Sequence, residues 1–194
     1  MEDYARYKSF RHFLQTGTLI SPNAFTVSND DGIEISIIRD EEYLGACIGL
    51  CHELASYGIA RASNAGADVS AIADIQKARN IVSQIFEELL QFDFRNGPLR
   101  RKYDGTKYQL KALETILYEL SVAKVMGGIY SKTGEEDEAS MQDVSIPHDE
   151  TAAIRERMDH RDQLRESLIK NCRDGQKAAK QAISALHRGD TSRA

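Results

Sequence analysis

Only three prolines interrupt the 194 residues of this chain, at positions 22, 98 and 147. Inside a helix a proline removes a backbone donor and collides with the preceding turn, at a cost of about 3 kcal/mol. Long stretches therefore lack the strongest helix breaker, and apolar residues recur in them at helical spacing. An all-α chain of long helices is predicted, with one core and room for a tail, since 41% of residues are hydrophobic and 28% charged.

The periodicity places five helices. Residues 2–16 carry Tyr7, Phe10, Phe13 and Leu14 on one face. Ser21-Pro22-Asn23 then opens a connector, and Asn29-Asp30-Asp31-Gly32 marks a turn. Ile33, Ile35 and Ile37 alternate with polar residues, but no partner strand is evident, so an extended loop is predicted there. The next helix spans about 40–63, with Asp40 as N-cap and Leu44, Cys47, Ile48, Cys51, Leu54 and Ala55 as its apolar stripe. Gly45 and Gly49 within it point to close helix–helix approach.

Asn64-Ala65-Gly66 ends that helix, and Asp68 caps a third over 69–92, whose core face runs from Ile72 and Ile75 through Val82, Ile85 and Phe86 to Leu89 and Leu90. Asn96-Gly97-Pro98 starts the fourth, over 98–125. There Leu99, Tyr103, Thr106, Leu110, Leu113, Leu117 and Leu120 step alternately by four and three, a heptad-like seam. Residues 127–148 are acidic, polar and short of apolar groups, as in a flexible linker. The fifth helix covers 149–187, with Gly175 as a candidate bend, Gly189 as its stop and a frayed end at 194. The predicted organisation is a core over 1–126, the linker, and a long helix in 149–194.

The net charge of −5 excludes a globally basic protein, so any nucleic-acid role must rest on a local patch. Two such rows exist. Arg100, Lys107 and Lys111 share a face of the 98–125 helix, with Arg101 and Lys102 alongside. Lys170, Arg173, Lys177 and Lys180 step by three, four and three on the last helix, followed by Ser184 and His187. A row of this kind can track phosphates through counterion release. It also reads as a solvated helix face, and Asp162, Glu166 and Asp174 dilute the second row. Near the start, Tyr4, Tyr7, Phe10, Arg11, His12 and Phe13 mix rings with cations, suiting either base stacking or bundle packing.

Cys47, Cys51 and Cys172 form no disulfide framework, and Cys47 and Cys51 with His52 lack further ligands at zinc spacing, so core thiols in a reducing compartment are predicted. No glycine-rich phosphate loop, nucleophile elbow or His/Glu zinc motif occurs. No run approaches the roughly 18 apolar residues of a membrane span, and no leader is recognisable at the start. A soluble intracellular protein, cytoplasmic or nuclear, is expected, with no membrane partner. Glu2, Asp3 and Glu53 are the carboxylates available to a Mg²⁺ nuclease; otherwise no cofactor is implied.

Four stretches carry a family resemblance. LRRKYDGTKYQLKALETILYELSV (99–122) closely resembles the C-terminal helix of translin. DEEYLGACIGLCHELASYGIARA (40–62) resembles the preceding helix of translin and TRAX, through Tyr43-Leu44 followed by Glu53-Leu54. SFRHFLQTGTLIS (9–21) is similar to the helix-to-loop passage of TRAX. RDQLRESLIKNCRDGQKAAKQAISALHRGD (161–190) resembles the family's first long helix. Here it follows the acidic linker, so the order reads as circularly permuted, with the second and third helices missing or shortened.

The resemblance implies a translin-like bundle of long antiparallel helices that assembles into octamer-type shells with translin or TRAX subunits. It implies binding of single-stranded RNA or DNA, and a part in small-RNA and tRNA processing. In the TRAX branch the catalytic carboxylates would fall at positions 3, 6, 49 and 53. This chain has Asp3, Arg6, Gly49 and Glu53 there, so the resemblance implies binding more than catalysis. A Mg²⁺-dependent endoribonuclease and a purely structural subunit are the alternatives.

Overall fold

In the computed structural model the described residues are 1–29, 34–64, 69–95, 97–126 and 148–189. They form α1 (Glu2–Thr16), a 3₁₀ turn (Pro22–Phe25), β1 (Thr26–Ser28), β2 (Glu34–Ser36), α2 (Asp40–Asn64), α3 (Val69–Leu89), α4 (Pro98–Tyr103), α5 (Thr106–Met126) and α6 (His148–His187). The chain divides into two compact units, Met1–Thr151 and Ala152–Ala194. The predicted all-α bundle is the fold. Nearly all of the predicted linker lies outside the described residues.

In the first unit α2 is the central helix. It packs against α1, α3, α4 and α5, and α3 packs against α5. The predicted stripe of α2, from Leu44 to Ala55, is buried at every position. Burying such side chains is worth about 1.5–3 kcal/mol each, which makes this helix the organiser of the core. Tyr43 is also buried; its hydroxyl donates to the Ile20 carbonyl at 2.8 Å and its ring meets Phe25 edge-on. The connector after α1 is thereby tied to the start of α2. Cys47 and Cys51 are buried thiols, as predicted, and the Cys51 Sγ–H donates to the Cys47 carbonyl. Burial pushes Cys47 up to about 12 and Cys51 higher still.

Several predicted details are corrected. Residues 34–36 are a strand, because Thr26–Ser28 supplies an antiparallel partner; Thr26 pairs with Ser36, Val27 with Ile35 and Ser28 with Glu34. Ile33 lies outside the described residues. Asp40 sits in the first turn of α2, and the N-cap is Arg39: its carbonyl takes the first helical bond, from Tyr43. Its backbone N–H donates to Glu42 at 3.0 Å, which holds the Glu42 carboxyl below its ordinary range. The helix predicted over 98–125 breaks after Tyr103. The Asp104-Gly105 pair closes α4 with tight backbone bonds before α5 restarts at Thr106. The heptad seam crosses the break, with Tyr103, Thr106 and Leu113 all buried.

Helix α1 buries Ala5, Ser9 and Phe13, whereas Tyr7 and Leu14 face solvent. The small residues suit α1 to lie close on α2, and the buried Ser9 hydroxyl is satisfied by the Ala5 carbonyl at 2.8 Å. Helix α3 ends at Leu89, leaving Leu90 exposed. Two carboxylates pin the first turn of α6 within the first unit. Glu150 accepts from Ser21 and Asn23, and Glu88 pairs with His148 and accepts from Thr151.

In the second unit α6 runs unbroken through Gly175, so the candidate bend there is absent, and Gly189 adopts the left-handed conformation that ends it, with φ 74°. Leu164, Leu168, Ile183 and Leu186 on its apolar side are exposed. Among the described residues no helix is long and apolar enough to cross a membrane.

Candidate functional site

Positions 3, 6, 49 and 53 come together where α1 crosses α2, and a cation occupies the centre. The Arg6 guanidinium pairs with Asp3 through Nη2 at 2.9 Å and approaches Glu53 through Nε at 3.8 Å. Its stem lies over Gly49: a Cβ there would meet Arg6 Cδ at 2.7 Å. One turn earlier, a Cβ on Gly45 would meet the Glu2 carboxylate at 2.8 Å, and Glu2 pairs with Lys102 from α4. The two glycines thus make notches for side chains of α1. The close approach expected at them is of side chain to backbone, not of backbone to backbone.

This arrangement does not fit Mg²⁺. The ion needs several anionic oxygens around one point, and here a guanidinium holds the point between the two acids. Glu2 is committed to a different cation. Among the described residues no group of three or more His, Cys, Asp or Glu side chains could hold a metal ion.

The predicted basic residues of α4 and α5 divide by partner. Arg100 pairs with Asp104 at 3.2 Å, and Lys102 with Glu2. Arg101 and Lys111 are exposed without an ion pair among the described residues, and Lys107 lies over the Tyr108 ring at 5.1 Å. The acid Glu114, on the same helix, is taken by Arg79 at 3.0 Å. On α6, Lys170, Arg173, Lys177 and Lys180 are all exposed. At about 100° per residue they occupy an arc of roughly 80°, flanked by Asp174. The four cations of α6 thus share one helical face, whereas the first row is divided between α4 and α5 by the break at Asp104-Gly105.

The aromatic start of α1 splits by role. Phe13 is buried and Phe10 half-buried, both edge-on to Tyr57, so they belong to the packing. Tyr4, Tyr7 and Arg11 stay exposed. Tyr57 also reaches Asp74 at 3.4 Å, and Asp74 pairs with Arg61. Burial, and then the Asp74 charge, raise the Tyr57 hydroxyl. Two exposed tyrosines of α5, Tyr108 and Tyr118, fall outside the residues predicted from sequence. The signal that marks them is aromatic residues interleaved with lysines on one helical face.

Residues 1–124, which hold the glycine-notched central helix and the helices packed on it, match the translin family model, and the chain belongs to that family. It is 34% identical over 119 residues to translin of Gallus gallus, covering 59% of this chain and 49% of the relative. Against translin of Homo sapiens and of Mus musculus it is 29% identical over 120 residues, with the same shares. The chain spans about half the length of these curated relatives. The family match ends before α6.

Proposed function

We propose that this chain is a single-stranded RNA- or DNA-binding subunit that assembles with other translin-family chains. The observation that carries the reading is the row Lys170, Arg173, Lys177 and Lys180, exposed along one face of α6 and free of ion pairs among the described residues. Each phosphate neutralised by such a row releases condensed counterions, so affinity should fall with salt. Arg101, Lys107 and Lys111 supply a second row. The exposed Leu164, Leu168, Ile183 and Leu186 favour assembly, since apolar side chains at this spacing normally find cover. An octamer-type shell with TRAX-like partners, working in small-RNA or tRNA processing in cytoplasm or nucleus, is the setting the family suggests.

Filter binding of labelled single-stranded RNA to the assembled protein tests the reading. Charge reversal of Lys170, Arg173, Lys177 and Lys180 to Glu is expected to abolish retention. Unchanged affinity in that variant would sink the assignment of α6. Failure of the unsubstituted protein to bind at low salt would leave only a shell-building subunit.

Catalysis is not part of the proposal. Asp3 and Glu53 are the residues a Mg²⁺ nuclease would need, and Arg6 is bonded to one and close to the other. Incubation of single-stranded RNA with the protein and Mg²⁺ is expected to give no cleavage. Robust cleavage abolished by both Asp3→Asn and Glu53→Gln would overturn this.

A further inference from the structure

Tyr108 and Tyr118 are among the most exposed large side chains of the chain, at 65% and 69% of full accessibility. Both lie on α5, whose buried side faces α2 and α3. At about 100° per residue, Lys107, Tyr108, Lys111, Thr115 and Tyr118 fall within an arc of roughly 100°. Tyr118 is about 15 Å further along the axis than Tyr108, at about 1.5 Å per residue. Two acids near the face are paired elsewhere, Asp104 with Arg100 and Glu114 with Arg79, while the exposed Glu119 borders the arc next to Tyr118. Arg101, just beyond the break, adds a cation with no ion pair among the described residues. Lys107 already sits over the ring of Tyr108, holding a charge beside the π-face.

An exposed tyrosine is commonplace on any surface. Two rings on one arc, with available lysines interleaved between them and Glu114 paired away, form a narrower pattern. It matches the two needs of a single strand: a flat surface for each base and a positive charge for the phosphate beside it. A duplex keeps its bases stacked on one another and offers the rings nothing. Lysines interleaved with the rings favour a single-stranded nucleic acid as the occupant, since each base meets a ring and each phosphate a cation; a protein surface covering the tyrosines is the outcome that sedimentation reads.

Resting on the nucleic-acid reading above, we propose that Tyr108 and Tyr118 are base-stacking anchors for a single strand whose phosphates are met by Arg101, Lys107 and Lys111. The α5 face would thus select single-stranded over double-stranded ligand, while the rows of cations supply sequence-independent attraction.

The test is fluorescence anisotropy of the full chain with a short fluorescein-labelled oligouridylate and with a duplex competitor. The double variant Tyr108→Leu/Tyr118→Leu is expected to lose about tenfold or more in affinity, given what stacking a base is worth. Its salt slope should stay unchanged, and Tyr108→Phe/Tyr118→Phe should keep the affinity, because the ring and not the hydroxyl acts. Lys107→Gln/Lys111→Gln should instead flatten the salt slope, by about 0.7 for each phosphate no longer neutralised. Should the unsubstituted chain bind while the leucine variant binds equally well, the stacking role is overturned and the wider reading stands. A leucine variant with changed sedimentation and unchanged affinity per assembled particle would make the face an interface between copies, overturning the proposal. No binding by the unsubstituted chain would overturn the wider reading, and this inference with it.

Discussion

Helices α2 and α6 are both long and both carry a regular apolar stripe, yet their fates differ. Every stripe residue of α2 from Leu44 to Ala55 is buried, while Leu164, Leu168, Ile183 and Leu186 of α6 remain exposed. The difference does not lie in helical periodicity, which both possess. It lies in neighbours: α2 is covered by four other helices of its unit. A stripe states that a helix has something to bury. Only packing decides whether burial occurs, and an uncovered stripe is surface offered to another molecule.

The sharpest way to break the comparison is to cut an equal piece from each region. Leu54, buried to 0% exposure on α2, should lose about 2–5 kcal/mol on truncation to Ala. Leu168, 63% exposed on α6, should lose no more than about 0.5 kcal/mol in the unassembled chain. Urea denaturation followed by helical circular dichroism reads both. An equal loss at Leu168 would mean that α6 is covered in the assembled protein.

Alkali probes the same contrast through the thiols. In the folded chain Cys47 is pushed up to about 12 from an ordinary 9.0, and Cys51 further. Above pH 9 the unfolded thiols release protons that the folded ones retain. The unfolded state then binds fewer protons, so stability should be intact below pH 9 and fall as pH rises towards 12. Urea midpoints across that window check the sign. At neutral pH an alkylating reagent should modify exposed Cys172 promptly, and Cys47 and Cys51 only after unfolding.

Glycine substitutions on α2 sharpen the comparison further, because one helix should give opposite outcomes. At Gly58 a Cβ would overlap a methyl of buried Leu113, so Gly58→Ala should cost about 1–3 kcal/mol. At Gly49 it meets the half-exposed Arg6 stem, which can swing aside. Gly49→Ala should be neutral or gain up to about 1 kcal/mol from helix propensity, less the small worth of surface ion pairs. Thermal melts of the two variants distinguish a notch that admits a movable side chain from one filled by the core.

The stripes of α2 and α5 are legible in the sequence because each buried residue recurs at the helix's own period. The cationic rows are legible for the same reason. The hairpin is not, because its first strand, Thr26–Ser28, is three residues long and has no alternation of its own. The break at Asp104-Gly105 is written as a turn dipeptide, but the apolar seam runs across it and hides it. On α1 the large rings carry the visible period, yet Tyr7 and Leu14 stay exposed while the small Ala5 and Ser9 are buried with Phe13. Within the candidate site, the sequence supplies Asp3, Arg6, Gly49 and Glu53 as separate letters. Their meeting across two helices requires the crossing itself.

What the sequence determined alone was local: where helices run, which face of each is apolar, and which cations share a face. These follow from backbone sterics and a fixed period, which act over a few residues. What the tertiary structure decided was every pairing over distance. Arg6 settled on Gly49 between two acids, Glu114 was taken by Arg79 from α3, and Lys107, Lys111, Tyr108 and Tyr118 were left facing outward. Such outcomes depend on which surfaces meet and which remain in water, and no local period encodes that.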